Sequence, residues 1–504
     1  MDVFGFLIQG FGVALQPANL AFCAFGVIVG TLVGALPGIG PTGAIAMLLA
    51  ATYKLGPTAA MIMLAGIYYG TQYGGTITAV LMGLPGEASS VVTIFDGYAL
   101  AKQGKAGKAL GIAAIGSFIG GTVGVIGLMF LGPALANMAL KFGPAEYFTV
   151  LLMAFSMVTS FAGKSMVRGF ISLCLGVSIS LVGLDVITGL PRFTFGHPSL
   201  YGGIDFLPIV VGLFGLSEII LNFENPENGT LIKADLRLSK MFPSKSEIKE
   251  AAGPMARGTV IGFLSGTLPG VGATLASFLS YGTEKLLSKH PEKFGKGSIA
   301  GLAGPETANN ALTCGAFVPM LSMGIPAGAV SALLLGALLM FGLHPGPTIF
   351  TEQSNVVWGL IASMYIGNVM LVVINMAFVP VLVWVMDKIR PYLSTVVLFL
   401  SIFGVYSFRG SSTDILIMTI AGIVGYLMKK MDFPQAPVIL GIILGSNIEH
   451  NLRMALTISD GSLDIFIKNP LCVGFLIATL FSLILGIVMQ LGKGKTLRRD
   501  DIEV

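Results

Sequence analysis

Two stretches of this chain break a helix-forming pattern in nearly the same words. Residues 34–43 read GALPGIGPTG and residues 266–275 read GTLPGVGATL. Pro37 precedes Gly38 and Gly40 in the first, and Pro269 precedes Gly270 and Gly272 in the second. Proline cannot donate to the preceding helical turn, and glycine adopts non-helical dihedrals without a Cβ clash. The chemistry on offer is therefore that of the backbone. A helix broken inside a bilayer leaves N–H and C=O groups that lipid cannot satisfy, so the break must line a wet cavity enclosed by protein. The half-helix that starts there presents N–H donors and a positive dipole end, which suit a carboxylate or another anion. Thr42 and Thr274 stand at the same distance beyond the two prolines and add hydroxyl donors.

A second, weaker pair follows in the same order. LMGLPG at 81–86 contains Pro85 and Gly86, and SMGIPA at 322–327 contains Pro326, with Ala327 where the first copy has glycine. The first pair is offset by 232 residues and the second by 241, the pattern of an internal duplication with a modest insertion. Ser89 and Ser90 follow the second break of the first half, while Ser277, Asn309 and Asn310 add polar capacity to the second half. Gly and Ser also serve ordinary helix contacts, and hydroxyls back-bond to their own helix. The matched Pro-Gly pairs taken together favour a binding cavity.

Few ionisable groups interrupt the apolar segments. Glu87 directly after LPG and Glu306 in GPETANN are candidate ion ligands or coupling groups, because buried charge is costly; a position at the edge of a loop is the other reading for both. Asp96, Glu284 and Asp414 read as interface or loop residues, and Asp185 as the end of a span. Cys23, Cys174, Cys314 and Cys472 lie in apolar stretches, and His197, His290, His344 and His450 are scattered, so neither a disulfide framework nor a metal set is expected. No nucleophile elbow, Walker loop or zinc-protease motif occurs; no catalytic residue and no cofactor is expected, and a phosphate-hydrolysing pump would need a separate ATPase subunit.

The elements that must hold these phrases are membrane helices. In 504 residues there are 29 Lys or Arg and 25 Asp or Glu, too few to coat water-facing domains of that total size. The mean hydropathy is +0.86 and 68 residues are Gly. The start, MDVFGFLIQGF, has no basic stretch or cleavage site, so a removable signal peptide is not expected. Apolar segments at 16–36, 58–84, 108–131, 144–160, 166–184 and 204–222, then 257–279, 311–342, 355–385, 392–408, 413–428, 435–448 and 469–491, predict an all-α polytopic membrane protein of about ten to fourteen spans. Segment 311–342 fits one tilted helix or two short ones. The parts are a first transmembrane half at 1–222, a polar cytoplasmic linker at 223–256, a second half at 257–491 and a cytoplasmic tail at 492–504. Basic loops at Lys102, Lys105 and Lys108 and at Lys285, Lys289, Lys293 and Lys296 are expected on the cytoplasmic side. They follow different breaks in the two halves, which inverted repeats explain and a re-entrant segment at 257–284 explains as well.

At the two LPGxG phrases the chain resembles the large membrane subunit of the tripartite tricarboxylate transporter family. Residues 68–98, YYGTQYGGTITAVLMGLPGEASSVVTIFDGY, and 304–328, GPETANNALTCGAFVPMLSMGIPAG, carry the resemblance further, and it extends over essentially the whole chain. It implies a translocation subunit in a bacterial inner membrane, working with a small transmembrane subunit and a periplasmic solute-binding protein. The cargo would be citrate or another organic carboxylate, imported with an ion gradient commonly attributed to Na+. Signature positions implied by the resemblance are Pro37, Gly38, Gly40, Pro269, Gly270 and Gly272; a substrate role for Thr42, Thr274, Asn309 or Asn310 is a geometric inference. No nucleic-acid partner is expected. An anion channel and, more remotely, an intramembrane enzyme are the competing readings, and continuous conductance would favour the channel.

Overall fold

The structure, a computed structural model, describes residues 2–36, 40–161, 165–185, 188–224, 232, 234–389 and 392–500. Pro37 and Gly38 thus lie outside the described residues. The first half comprises α1 (Val3–Ala14), α2 (Pro17–Gly34), α3 (Gly40–Thr52) and α4 (Pro57–Met82). A helical run of mixed pitch follows at 88–102, then α5 (Ala106–Ala139), α6 (Pro144–Phe161), α7 (Met166–Ser180) and α8 (Phe206–Glu224). The second half comprises α9 (Lys245–Gly266), α10 (Ala273–Leu287), α11 (Ile299–Met323), α12 (Ala329–Met340) and α13 (Ser354–Ala377). After it come α14 (Val379–Ile389), α15 (Leu393–Arg409), α16 (Ser412–Lys430), α17 (Ala436–Ile458) and α18 (Pro470–Asp500). A short antiparallel ribbon pairs Gly183–Leu184 with Pro191–Arg192. Six helices among the described residues are long and apolar enough to cross a bilayer: α2, α5, α8, α13, α16 and the first part of α18. Large apolar side chains such as Phe399, Leu416, Ile420 and Leu480 point outward, as lipid-facing residues do.

Element boundaries differ from the hydropathy reading where Pro and Gly intervene. Segment 257–279 divides into α9 and α10, segment 311–342 into α11 and α12, and segment 355–385 into α13 and α14. The polar interval 223–256 contains the first turns of α9. Their start is set by a capping box in which Ser244 N–H donates to Glu247 Oε2 at 2.6 Å and Glu247 N–H to Ser244 Oγ at 3.4 Å.

The duplication extends into the packing. A Cβ placed on Gly26, Gly30 or Gly34 of α2 would stand 2.3, 2.5 or 2.3 Å from the carbonyl oxygens of Met63, Ile67 and Thr71 on α4. On α9, a Cβ on Gly258, Gly262 or Gly266 would stand 2.3, 2.0 or 2.3 Å from the carbonyl oxygens of Gly304, Ala308 and Leu312 on α11. These glycines are related by the 232-residue offset and their partners by the 241-residue offset. Both contacts rise together in sequence, so α2 runs parallel to α4 and α9 parallel to α11. Consequently α3 and α10 are the return limbs of helical hairpins, and the described LPGVG phrase at 268–272 forms the tip of the second. The small residues are there because only a missing Cβ lets two backbones come this close.

The two halves meet head to tail. Tyr69 Oη lies 2.9 Å from Cys314 Sγ and Thr76 Oγ1 donates to Glu306 Oε2 at 2.8 Å, so α4 and α11 run antiparallel. Because α4 and α11 are the matching helices of the two copies, the repeats are inverted, and the hairpin tips enter from opposite faces. The two basic loops lie at one face. Gln103 Nε2 donates to the Lys296 carbonyl at 2.8 Å, and Lys108 pairs with Glu247 at 2.8 Å beside the start of α9.

Several acidic residues are buried among other side chains. Asp96 is fully buried and accepts from the N–H groups of Gly295, Gly297 and Ser298 at 2.9, 2.8 and 2.7 Å, capping the start of α11. Glu284 is held by Arg257 through bonds of 2.8 and 2.5 Å, and Asp414 is also buried. Glu306 lies inside α11, fully buried, away from any loop edge. Each interrupts an apolar stretch, yet Asp96, Glu284 and Glu306 bond to partners remote in sequence, which local hydropathy cannot register.

Candidate functional site

The start of α3, the break at 81–86 and both breaks of the second half converge on one cavity of about 910 Å³. That is the size of a small-molecule site. Its wall contains Gly40, Pro41 and Thr42 from the start of α3, Ala273 and Thr274 from the start of α10, Ala329 to Ser331 from the start of α12, and Ala88 from the start of the 88–102 run. Four helical starts, two from each repeat, therefore face one space. Hairpin geometry requires this. The return limbs α3 and α10 begin at the tips, and each 81–86 or 322–327 break turns the chain back beside a tip before the next helix starts. One contact ties a tip to the other break directly: Gly270 N–H donates to the Ala327 carbonyl at 2.7 Å.

Two of these starts carry no side-chain cap. Gly272 precedes α10 and Gly328 precedes α12, and neither can supply one, so first-turn N–H groups remain for a ligand. Left-handed backbone at Gly270, with φ of +84°, makes the turn into α10. A Cβ at that position would also stand 2.7 Å from the Met157 carbonyl oxygen.

The electrostatics come almost wholly from the backbone. Among the described residues no Lys, Arg or His lines the cavity; its only ionisable carboxylates are Glu87 and Glu218. Glu218 is paired with Lys429 of α16. Glu87 has no basic partner among the described residues. With no cationic side chain on the wall among the described residues, the uncapped helix N-termini are the described groups able to stabilise an anion.

Of the residues expected from sequence, Gly40, Thr42, Pro85, Gly86, Gly270, Gly272 and Thr274 line the cavity. Pro269 and Pro326 shape the breaks from just behind the wall, preceding the lining residues Gly270 and Ala327. Ser89, Ser90, Asn309 and Asn310, expected on the substrate-binding or translocation path, are bonded to one another and to neighbouring groups beside the wall. Ser89 Oγ donates to Gln72 Oε1 and accepts from Asn309 Nδ2, both at 3.3 Å. Asn310 Nδ2 donates to Asn309 Oδ1 at 2.5 Å and to the Glu306 carbonyl at 3.1 Å. Ser90 Oγ donates to the Glu87 carbonyl at 2.7 Å, and its counterpart Ser331 donates to Gly328 at 3.0 Å. These side chains form a polar layer between α4 and α11, behind the wall, because one helix face cannot serve both the cavity and the repeat contact. Gln72 and Tyr68 do reach the wall, and the only sequence signal for them was polarity within the otherwise apolar α4.

Behind that layer Glu306 accepts from hydroxyls on three elements. Thr76 of α4 donates at 2.8 Å, Ser117 of α5 at 3.5 Å, and Thr93 of the 88–102 run makes a third bond. The carboxylate thus joins the two repeats at their centre.

The family profile described as the Tripartite tricarboxylate transporter TctA family matches residues 20–440. The chain is 44% identical over 492 residues to the 52.8 kDa protein in the TAR-I ttuC′ 3′ region of Agrobacterium vitis, covering 97% of each chain. It is also 43% identical over 246 residues to a protein in the TAR-II ttuC′ 3′ region of the same organism, covering 48% of this chain and 99% of that one. No solved structure matches the chain. With both hairpin tips, both following breaks and Glu306 inside the matched span, this multi-pass membrane protein belongs to the tripartite tricarboxylate transporter TctA family.

Proposed function

We propose that the chain is the translocation subunit of a three-part importer for tricarboxylates or related organic carboxylates, in a bacterial inner membrane and driven by an ion gradient, with Na+ as the expected ion. One observation carries this reading: helical starts from both inverted repeats face a single cavity whose wall has no basic side chain among the described residues. Partial positive charge from N–H groups holds a carboxylate without the deep trap that fixed cations would make, and release is part of transport. The inverted halves supply the means of alternation, since two related arrangements of the same contacts can expose the site to one face and then the other. Family membership supports a small membrane subunit and a periplasmic binding protein as partners, and the basic loops at one face favour that face as cytoplasmic.

The test is reconstitution of the chain alone and with both partners, comparing radiolabelled citrate uptake under an inward Na+ gradient, followed by a carboxylate panel on the complete complex. Saturable, gradient-dependent uptake by the complex and little by the chain alone is expected. Equal uptake by both would reject obligatory three-part operation, and steady conductance without coupling would point to a channel.

A further inference from the structure

Glu87 is a misfit in a cavity suited to anions. It is 7% exposed, it lies on the cavity wall, and its Oε1 is buried with no hydrogen-bond partner among the described residues. The backbone N–H groups of Ser89 and Ser90 face the carboxylate from the start of the 88–102 run. Its counterpart in the second repeat is Gly328, at the 241-residue offset, where the start of α12 is left uncapped. One repeat therefore holds a built-in carboxylate where the other leaves room for a ligand.

We infer that Glu87 takes up a proton when a carboxylate ligand enters, so that each ligand anion crosses together with a proton held at Glu87. This rests on the carboxylate-transport reading above. Without a ligand, the N–H groups of its own helical start favour the ionised form of Glu87. An incoming anion repels it and competes for the same donors, and the low local dielectric makes both effects strong. A proton on Oε1 removes the repulsion and turns the orphan oxygen into an O–H donor toward a ligand oxygen. One unpartnered oxygen suits a proton better than a hard cation, which collects about six oxygen ligands. The nearby Gln72 and Ser90 side chains are already engaged, with Ser89 Oγ and the Glu87 carbonyl respectively. Titratable groups facing Glu87 are Tyr68 of α4 and Glu306 of α11, with Glu218 and its partner Lys429 at the cavity's other acidic position. Among the described residues α3, α10 and α12 bring no titratable side chain to the wall.

Because the protonated form accepts the ligand, affinity rises as pH falls. Radiolabelled citrate binding to the complete complex should be followed across pH for the wild type and for Glu87→Gln and Glu87→Asp. The wild type and its variants see the same titration of citrate itself, so the difference in slope isolates the residue. Wild-type affinity should change by up to about tenfold per pH unit more than that of Glu87→Gln, the value for one linked proton. Glu87→Gln should bind more tightly than the wild type at high pH and match it at low pH, and Glu87→Asp should keep the slope with a displaced midpoint. A pH dye trapped in proteoliposomes should report proton entry with citrate in the wild type and one proton fewer per citrate in Glu87→Gln. Identical slopes and proton ratios in wild type and Glu87→Gln overturn the inference while leaving the transport reading intact. So does a loss of Na+ dependence in Glu87→Gln with an unchanged pH slope. If Glu87→Gln does not fold, a Glu87→Asp slope with an undisplaced midpoint overturns it as well. A wild-type complex that neither binds nor moves any carboxylate removes the transport reading, and this inference with it.

Discussion

Glu306 shows how a carboxylate is tolerated at the centre of a membrane protein. It is fully buried, yet Thr76, Thr93 and Ser117 direct hydroxyls at it from three separate elements. A buried carboxyl group is costly only when its oxygens lack donors, and here both are occupied. Its position between the repeats means that any change of register between α4 and α11 must break or exchange these bonds. Glu306→Ala removes the shared acceptor and leaves hydroxyls without a partner, at roughly 1–3 kcal/mol for each buried group that stays unsatisfied. Glu306→Gln keeps an acceptor of the same shape. Thermal unfolding of the purified protein in detergent should fall clearly further for Ala than for Gln, and an equal loss in the two would mean that the hydroxyl cluster is not what the side chain supports.

At the scale of elements the decisive feature is the hairpin tip. Gly270 has a φ of +84°, donates to the Ala327 carbonyl, and leaves no room for a Cβ beside Met157. Three demands meet at one residue: left-handed backbone, an N–H aimed at the other break, and close approach. Gly270→Val violates two of them. The conformational cost alone is roughly 1–2 kcal/mol for a non-glycine residue in this region, with the contact at Met157 added. Gly282, further along α10, has nothing within 4 Å of the point a Cβ would occupy and provides the control. Gly282→Ala should be neutral or stabilising by up to about 1 kcal/mol from helix propensity. Gly270→Val should lower the folded yield in fluorescence-detected size exclusion and Gly282→Ala should not; indistinguishable profiles would show that the tip is plastic and the φ constraint weak.

For the whole molecule the question is whether the two tips serve one path. Thr42 and Thr274 lie on the same cavity wall but belong to repeats that enter from opposite faces. A background without Cys23, Cys174, Cys314 and Cys472 leaves single cysteines at Thr42→Cys or Thr274→Cys as the only thiols. Citrate should slow labelling of both by a membrane-impermeant reagent, because one ligand would cover both walls. Protection at one position alone would separate the tips into distinct compartments, and no reaction at either, with transport intact, would show that the cavity is not the route.

Much of this was decided along the chain itself. Hydropathy and the scarcity of charge require membrane helices, since nothing else satisfies backbone groups in lipid. Pro37, Pro269, Pro85 and Pro326, each in a glycine-containing phrase, mark helix breaks, because proline cannot donate to the preceding turn and glycine readily leaves helical dihedrals. The paired phrases and their offsets reveal two related halves. What the sequence left open depended on contacts between residues hundreds of positions apart. Only the antiparallel meeting of α4 with α11 decides that the repeats are inverted, and only that meeting turns Asn309 and Asn310 into a layer behind the wall. Glu87 and Glu306 are both acidic residues beside Gly and Pro in the sequence. Packing makes them different: Glu306 is given three hydroxyl partners, whereas Glu87 keeps an oxygen without one at the edge of a cavity. A side chain's type sets which bonds it can make, but the neighbours that meet it in space decide which bonds remain for a ligand.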